Sequence, residues 1–153
     1  MNNFDNLFTE YPCTLTDAEV KSAAAELLEQ HFAENNEIGV WKQCLHSIDL
    51  TTLNGDDTTE KVETMAQKVN EFEDHFPGVP NVAAMCVYPA LVQAAADTLT
   101  EPIGIAAVAA GFPASQTFIE VKIADAAMTV ASGATDIDIV ISIGKFLEGN
   151  YQE

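Results

Sequence analysis

Hydrophobic side chains recur at helical spacing near the start of the chain. Thr16 followed by Glu19 forms a capping box, which is typical of a helix N-terminus. The apolar positions that follow repeat every three or four residues: Val20, Ala23, Ala24, Leu27, Leu28 and Phe32. This spacing predicts an amphipathic helix. We therefore interpret residues 1–39 as an N-terminal helical extension.

Three more helices are predicted further along the chain. They cover residues 57–76, 89–99 and 118–131. Asp56 and Asp57 are interpreted as the cap of the first of these helices. Pro89 suits the first position of the second helix, because proline has no N–H to leave unpaired there. Ser115 is predicted to cap the third helix.

Four short apolar runs without a helical period separate these helices. They are residues 45–49, 82–87, 103–109 and 137–143. Each is as long as a strand, and each is followed by a turn and a helix. Regular alternation of strand and helix favours parallel strands joined by right-handed crossovers. The sequence therefore predicts an α/β fold with four parallel strands in a domain of residues 40–153.

The last apolar run has a strict alternation, with isoleucine at positions 137, 139, 141 and 143. Successive side chains of a strand point to opposite faces. The isoleucine face is predicted to pack on helices, and Asp138 is predicted to lie on the other face. A carboxylate there is costly to bury unless it is paired or used in chemistry. The alternative is an edge strand whose second face is open to solvent.

Charge excludes several kinds of partner. The chain has 24 acidic and 6 basic residues, a net charge of −18, and every one of the basic residues is lysine. Nucleic-acid binding needs a basic surface, so nucleic acid is excluded as a partner.

No apolar run is long enough for a membrane span, and the N-terminus does not resemble a secretory signal. Three cysteines at irregular spacing favour neither disulfides nor a metal site and suggest a reducing cytoplasm.

Four segments, taken in order, resemble one known family. They are HSIDLTTLNGDDT (46–58), NVAAMCVYP (81–89), IAAVAAGFP (105–113) and GATDIDIVISIGKFLEGN (133–150). Together they are similar to the N-terminal half of the deoxyribose-phosphate aldolases. The resemblance implies half of a TIM (β/α)8 barrel, with its site at the carboxyl ends of the strands.

The resemblance also implies an activity and a set of site residues. The family reversibly cleaves 2-deoxyribose 5-phosphate to acetaldehyde and glyceraldehyde 3-phosphate through a lysine Schiff base, without a cofactor or a metal. Asp138 matches the acid–base aspartate of the family. The segments that contact the substrate are matched by Asp49, Thr51, Cys86 and Phe112.

Several of these matches also have a plainer interpretation. Cys86 lies in an apolar strand, where a thiol is often just buried in the core. Phe112 equally suits packing of a loop. Asp49 stands at a strand end, where its carboxylate can bond to local backbone N–H groups.

The lysine chemistry of the family has no match in this sequence. The Schiff-base lysine belongs to a K-T-S-T-G segment that does not occur in the 153 residues, and Lys145 and Lys122 do not occupy its place. We therefore expect no activity from the chain alone, and a small phosphorylated sugar or aldehyde as substrate once a barrel is complete. The alternative is a non-catalytic module that self-associates. Open strand edges and a bare inner face predict a homodimer or higher oligomer, or pairing with a complementing C-terminal half.

Overall fold

The computed structural model describes residues 3–152. The chain divides into two compact units, Met1–Trp41 and Lys42–Glu153. The helices are α1 (Asn3–Glu10), α2 (Asp17–Asn35), α3 (Ile38–His46), α4 (Thr59–Asn70), α5 (Phe72–His75), α6 (Val92–Thr98), α7 (Ile119–Ala131) and α8 (Ile143–Leu147). The strands are β1 (Asp49–Thr51), β2 (Ala84–Val87), β3 (Gly104–Ala109) and β4 (Asp136–Ile139). None of the helices described here is long and apolar enough to cross a membrane.

The predicted N-terminal helix is confirmed as α2. The Glu19 backbone N–H donates to the Thr16 hydroxyl at 3.3 Å, and the Thr16 backbone N–H donates to the Glu19 carboxylate at 2.8 Å. These reciprocal bonds satisfy donors at the start of the helix that have no partner within it. No residue of α2 is buried, so the apolar stripe that predicted the helix remains exposed.

The four strands form one parallel sheet in the order β1-β2-β3-β4, as the alternation of elements predicted. The register pairs Thr51 with Cys86, Cys86 with Ala106, and Ala106 with Asp136. Each pair of neighbours in the sheet is also consecutive in the chain and is joined through a helix. β1 and β4 each have a strand neighbour on one side only among residues 3–152.

The two faces of the sheet carry separate hydrophobic clusters. The helix-side cluster lies between the covered face and the helices and consists of Val62, Ala66, Val69, Val82, Met85, Val87, Val92, Ala95, Ile105, Ala107 and Ala134. The opposite face, called the inner face below, carries Ala84, Cys86, Ala106 and Val108, with Leu53, Tyr88 and Phe112 packed against them. Because side chains alternate along a strand, β2 and β3 contribute to both clusters. The inner face has mostly small side chains, which leaves space above the sheet.

The first and last predicted strands differ most from the structure, while β2 and β3 start only two residues and one residue later than predicted. Leu45 belongs to α3, and β1 starts only at Asp49, since a short apolar run by itself does not distinguish a strand from part of a helix. β4 ends at Ile139, before the end of the predicted run. Ile137 packs on the helix-side cluster, but Ile139 and Ile141 are 63% and 58% exposed. The prediction of a fully packed isoleucine face is wrong beyond Ile137, because β4 lies at the edge of the sheet.

Two predicted helix caps are also wrong. Thr58 caps α4, and its hydroxyl accepts a hydrogen bond from the Lys61 backbone N–H at 3.2 Å. Asp57 does not cap the helix, because its carboxylate bonds to the loop before it. Ser115 is buried, and its hydroxyl donates to the Ala110 carbonyl at 3.1 Å. With this hydroxyl used inside the loop, α7 begins without a side-chain cap.

Candidate functional site

Four of the five predicted site residues lie together on the inner face. Asp49 and Thr51 are on β1, Cys86 is on β2 and Asp138 is on β4. The last three stand within one residue of the carboxyl end of their strands, where sites in barrels of parallel strands are found. The site thus offers two carboxylates, a hydroxyl and a thiol. Within the described part of the chain, no three His, Cys, Asp or Glu side chains are arranged to hold a metal ion.

Cys86 and Asp138 make contact although β3 runs between their strands. The thiol of Cys86 donates to Oδ2 of Asp138, with 3.7 Å between sulfur and oxygen. Neighbouring strands lie about 4.8 Å apart, so these two side chains can meet only over a short side chain on β3. Ala106 is the register partner of Cys86 and Val108 that of Asp138, so the contact crosses β3 between these two side chains. The small side chain of Ala106 leaves room for the contact on the Cys86 side of β3.

Asp138 lies on the predicted face, but it is exposed. The expectation of a buried carboxylate is wrong, and the edge-strand alternative describes its surroundings better. β4 lies at the edge of the sheet, and solvent reaches the inner face beside it. The carboxylate therefore carries no large desolvation cost, and it is accessible to a small molecule on the inner face.

The pKa of the Cys86 thiol is shifted by its burial and by the neighbouring polar side chains of the site. Burial is the largest cause and raises the pKa of the Cys86 thiol, and the negative charge of Asp138 and its hydrogen bond with the thiol raise this pKa further, to about 11. A hydrogen bond with the Thr51 side chain lowers this pKa in part, and the charge of Asp49 raises it. The thiol is therefore protonated at neutral pH and is a poor nucleophile. In this state the thiol donates a hydrogen bond to Asp138.

We expect iodoacetamide at about pH 8 to alkylate Cys86 at least about a hundredfold more slowly than Cys13 and Cys44. Cys86 is buried, whereas the other two thiols are exposed, and its pKa is raised. Asp138→Asn removes a neighbouring negative charge, so it should lower the pKa of Cys86 and move the onset of alkylation to lower pH. Mass spectrometry of digested samples measures each thiol. Asp136→Asn on the same strand is the control, and an unchanged Cys86 profile in Asp138→Asn would contradict the contact.

Phe112, the fifth predicted residue, approaches the inner face from the loop after β3. It is half-buried and packs against the inner cluster. The loop turns tightly, with φ of +61° at Ala110 and +74° at Gly111. A Cβ atom at Gly111 would lie 2.9 Å from Cγ2 of Thr117, so both the positive φ and the limited space favour glycine here. This turn directs Phe112 towards the sheet.

A polar cluster that the sequence analysis misinterpreted anchors the loop after β1. The Asp57 carboxylate accepts from the Thr52 hydroxyl and the Asn54 backbone N–H, both at 2.9 Å, and from the Lys61 ammonium group. The bond to Lys61 is the main reason that the pKa of Asp57 is lowered to about 2. Because Thr52 follows Thr51 directly, the cluster fixes the end of β1. The spacing of Asp57 and Lys61, four residues apart, was the signal available in the sequence.

Comparison with known proteins identifies the family. Residues 44–152 match the model of the DeoC/LacD family aldolases. The chain belongs to this family. Deoxyribose-phosphate aldolase from Homo sapiens is 38% identical over 117 residues, and that from Mus musculus is 37% identical over 119 residues. Each match covers 69% of this chain and 36% of the relative, so the chain spans about a third of the length of these curated relatives.

Solved structures show the same fold. The deoxyribose phosphate aldolase of Aeropyrum pernix, described as having a unique tetrameric structure, matches with a TM-score of 0.63 at 22% identity. That match covers 84% of this chain and 50% of the other. The aldolase QR15 matches with a TM-score of 0.61 at 24% identity, over 71% of this chain and 44% of the other. The parallel strands and helices of the family member described here form half of a TIM (β/α)8 barrel, as the resemblance implied.

Proposed function

We propose that this chain supplies the acid–base part of a deoxyribose-phosphate aldolase site. The reaction would be the reversible cleavage of 2-deoxyribose 5-phosphate to acetaldehyde and glyceraldehyde 3-phosphate. The names of the human and mouse relatives support this substrate class. The observation that carries the proposal is the 3.7 Å contact of Asp138 with Cys86 on the inner face. It places an accessible carboxylate near the strand ends where TIM-barrel enzymes work.

The proposed chemistry requires two proton transfers. In the imine of the sugar, a base removes the proton of the C3 hydroxyl, the C2–C3 bond breaks, and its electron pair forms an enamine. An acid then returns a proton to C2, and water hydrolyses the resulting imine to acetaldehyde and the free lysine. The accessible carboxylate of Asp138 serves both steps, and the protonated thiol of Cys86 orients it by donating to Oδ2.

The remaining candidate residues are proposed to contact the substrate. The Thr51 hydroxyl donates to the backbone carbonyl of Asp49 at 2.9 Å. The side chains of Thr51 and Asp49, like that of Asp138, influence the pKa of the Cys86 thiol. Phe112 forms an apolar side of the site. We assign residues 40–153 to this aldolase half and residues 1–39 to a helical extension.

The imine-forming lysine is proposed to come from a complementing segment. Lys122 donates to the hydroxyl of Ser142, and Lys145 pairs with Glu148 at 3.2 Å. Lys122 lies on α7 and Lys145 on α8, and neither is on a strand of the inner face. A C-terminal half that carries the K-T-S-T-G segment would complete the barrel at β1 and β4 and would place its lysine opposite Asp138.

We expect borohydride with acetaldehyde to leave the 153-residue chain unlabelled. When the C-terminal half of the human relative is added, the label should appear on that half, because only it carries the imine-forming lysine. Mass spectrometry locates the label, and an enzyme-coupled assay measures cleavage of 2-deoxyribose 5-phosphate against a no-enzyme control. The proposal fails if the chain alone turns over substrate after contaminating full-length enzyme is removed, or if Lys122 or Lys145 becomes labelled.

A second candidate function is self-association without catalysis. Two observations favour it. Among the described strands, β1 and β4 each pair with a strand on one side only. Ile139 and Ile141, next to the β4 edge, are exposed. Two copies could join edge to edge around a two-fold axis into eight strands, which would cover both edges. This arrangement needs no second protein.

We expect the purified chain to form a homodimer or higher oligomer that tightens with added salt. Each copy carries a charge of −18, and salt screens their repulsion. Static light scattering across a salt series measures the mass. Ile139→Lys should weaken the association, because it adds charge at the exposed edge. Val121→Lys, at a position of α7 that is 51% exposed, is the control. A folded monomer at high salt would rule out self-association.

A further inference from the structure

A polar cavity lies between the loops that follow β3 and β4. Its volume is about 410 Å³, within the range of small-molecule sites. Its polar lining consists of Ser115, Gln116, Thr117, Ser142, Lys145 and Glu148. None of the five candidate aldolase residues lines it. We call it the loop cavity, and the proposed aldolase function makes no use of it.

A buried ammonium group stands directly behind the wall of the loop cavity. Lys122 on α7 is only 6% exposed, and its Nζ donates to the hydroxyl of Ser142. Among the side chains that the structure describes, no carboxylate forms an ion pair with it. Lysine is rarely this buried without an anionic partner, because a neutral hydroxyl compensates poorly for lost hydration. An anion bound near Ser142 would therefore stabilise the positive charge of Lys122.

The hydroxyl of Ser142 carries the effect of this charge to the cavity. The Ser142 oxygen accepts from Lys122, so the hydroxyl proton of Ser142 is available to another acceptor. Consecutive hydrogen bonds of this kind strengthen one another. Two further side chains of the lining, Gln116 and Thr117, have donors without a hydrogen-bond partner in the described chain. Ser115 is already committed to a backbone carbonyl. The available donors come from both loops.

We infer that the loop cavity binds the phosphate group of a small phosphorylated molecule. A phosphate monoester offers three terminal oxygens, which matches the hydroxyls of Ser142 and Thr117 and the amide of Gln116. Lysine binds phosphate as a point charge, and Lys122 supplies this charge through Ser142. Lys145 adds a second positive charge, although Glu148 compensates it in part. With a net charge of −18, the chain would repel an anion without such a local arrangement.

The inference goes beyond the proposed aldolase function and is tested by binding alone. Inorganic phosphate and glycerol 3-phosphate are titrated into the full 153-residue chain at constant ionic strength, with isothermal calorimetry and ³¹P NMR as readouts. We expect saturable binding of both. If the site serves a phosphorylated metabolite, glycerol 3-phosphate should bind more tightly, and if it serves free phosphate, the inorganic ion should. Absence of saturable binding by either probe overturns the inference.

Variants connect the binding to Lys122. Lys122→Met and Ser142→Ala should each weaken phosphate binding at least about tenfold, the scale expected for a hydrogen bond to a charged group. Lys68→Met, which removes an exposed lysine on α4, has the same effect on net charge and should leave the affinity unchanged. If Lys122→Met does not fold, Ser142→Ala decides the question, since it removes only one hydroxyl.

Two other results would also overturn the inference. If Lys122→Met and Ser142→Ala bind phosphate as the parent does, then Lys122 serves only to attach α7 to the loop after β4. If acetate competes with phosphate at equal concentration, then the site recognises carboxylates rather than phosphate. Neither result would affect the aldolase proposal, whose residues lie on the inner face.

Discussion

Asp138→Asn should lower turnover of 2-deoxyribose 5-phosphate by about a hundredfold or more in a barrel completed with the C-terminal half of the human relative. The amide keeps the shape of the side chain but cannot take up the proton of the C3 hydroxyl. The effect should appear in kcat rather than in KM, because the proton moves in the reaction step. Steady-state kinetics of the reconstituted pair measures it.

Asp136→Asn is the matched control for this experiment. Asp136 stands on the same strand and the same face, but its carboxylate accepts from the hydroxyl of Thr135 at 2.7 Å and does not contact Cys86. Its turnover should stay close to that of the parent. Equal losses in the two variants would show a general effect of charge on the face, and full activity of Asp138→Asn would reject the proposed acid–base role.

Met85→Ala should lower the free energy of unfolding by about 2–5 kcal/mol. Met85 is the largest of the fully buried side chains, with 0% exposure in the middle of the helix-side cluster. Truncation removes buried apolar surface and leaves a cavity that the surrounding strands cannot fill without moving. Urea unfolding followed by circular dichroism measures the change.

Met128→Ala provides the comparison, because Met128 is 70% exposed on α7. The same chemical change there should alter the free energy of unfolding by no more than about 0.5 kcal/mol. An unchanged slope against urea in both variants shows that the unfolded states are comparable. Similar small changes in both variants would mean that the helix-side cluster does not stabilise the fold as described.

The local errors of the sequence analysis have a common physical origin. Asp57 and Ser115 both have side chains that suit a helix cap, and both precede a helix. In the structure their oxygens bond to other groups, Asp57 to Thr52 and Asn54, and Ser115 to the Ala110 carbonyl. A cap is one of several local bonds open to such a residue, and the path of the loop determines which one forms.

The sequence by itself determined the features that depend on near neighbours. The capping box of α2 links residues three positions apart, and short apolar runs alternating with segments of helical period predicted parallel strands joined by helices. Ordered motifs also indicated the family. These signals are readable because the interacting groups are close along the chain.

Only the tertiary structure decided how the candidate site is assembled. Cys86 and Asp138 are separated by 52 positions, and they meet because the sheet brings β2 and β4 to either side of β3. The exposure of Asp138 follows from the place of β4 at the edge, which alternation in one strand does not reveal. Lys122 and Ser142 are likewise joined across 20 positions. Such contacts depend on strand order and register, which are set by packing of the whole sheet rather than by any local pattern.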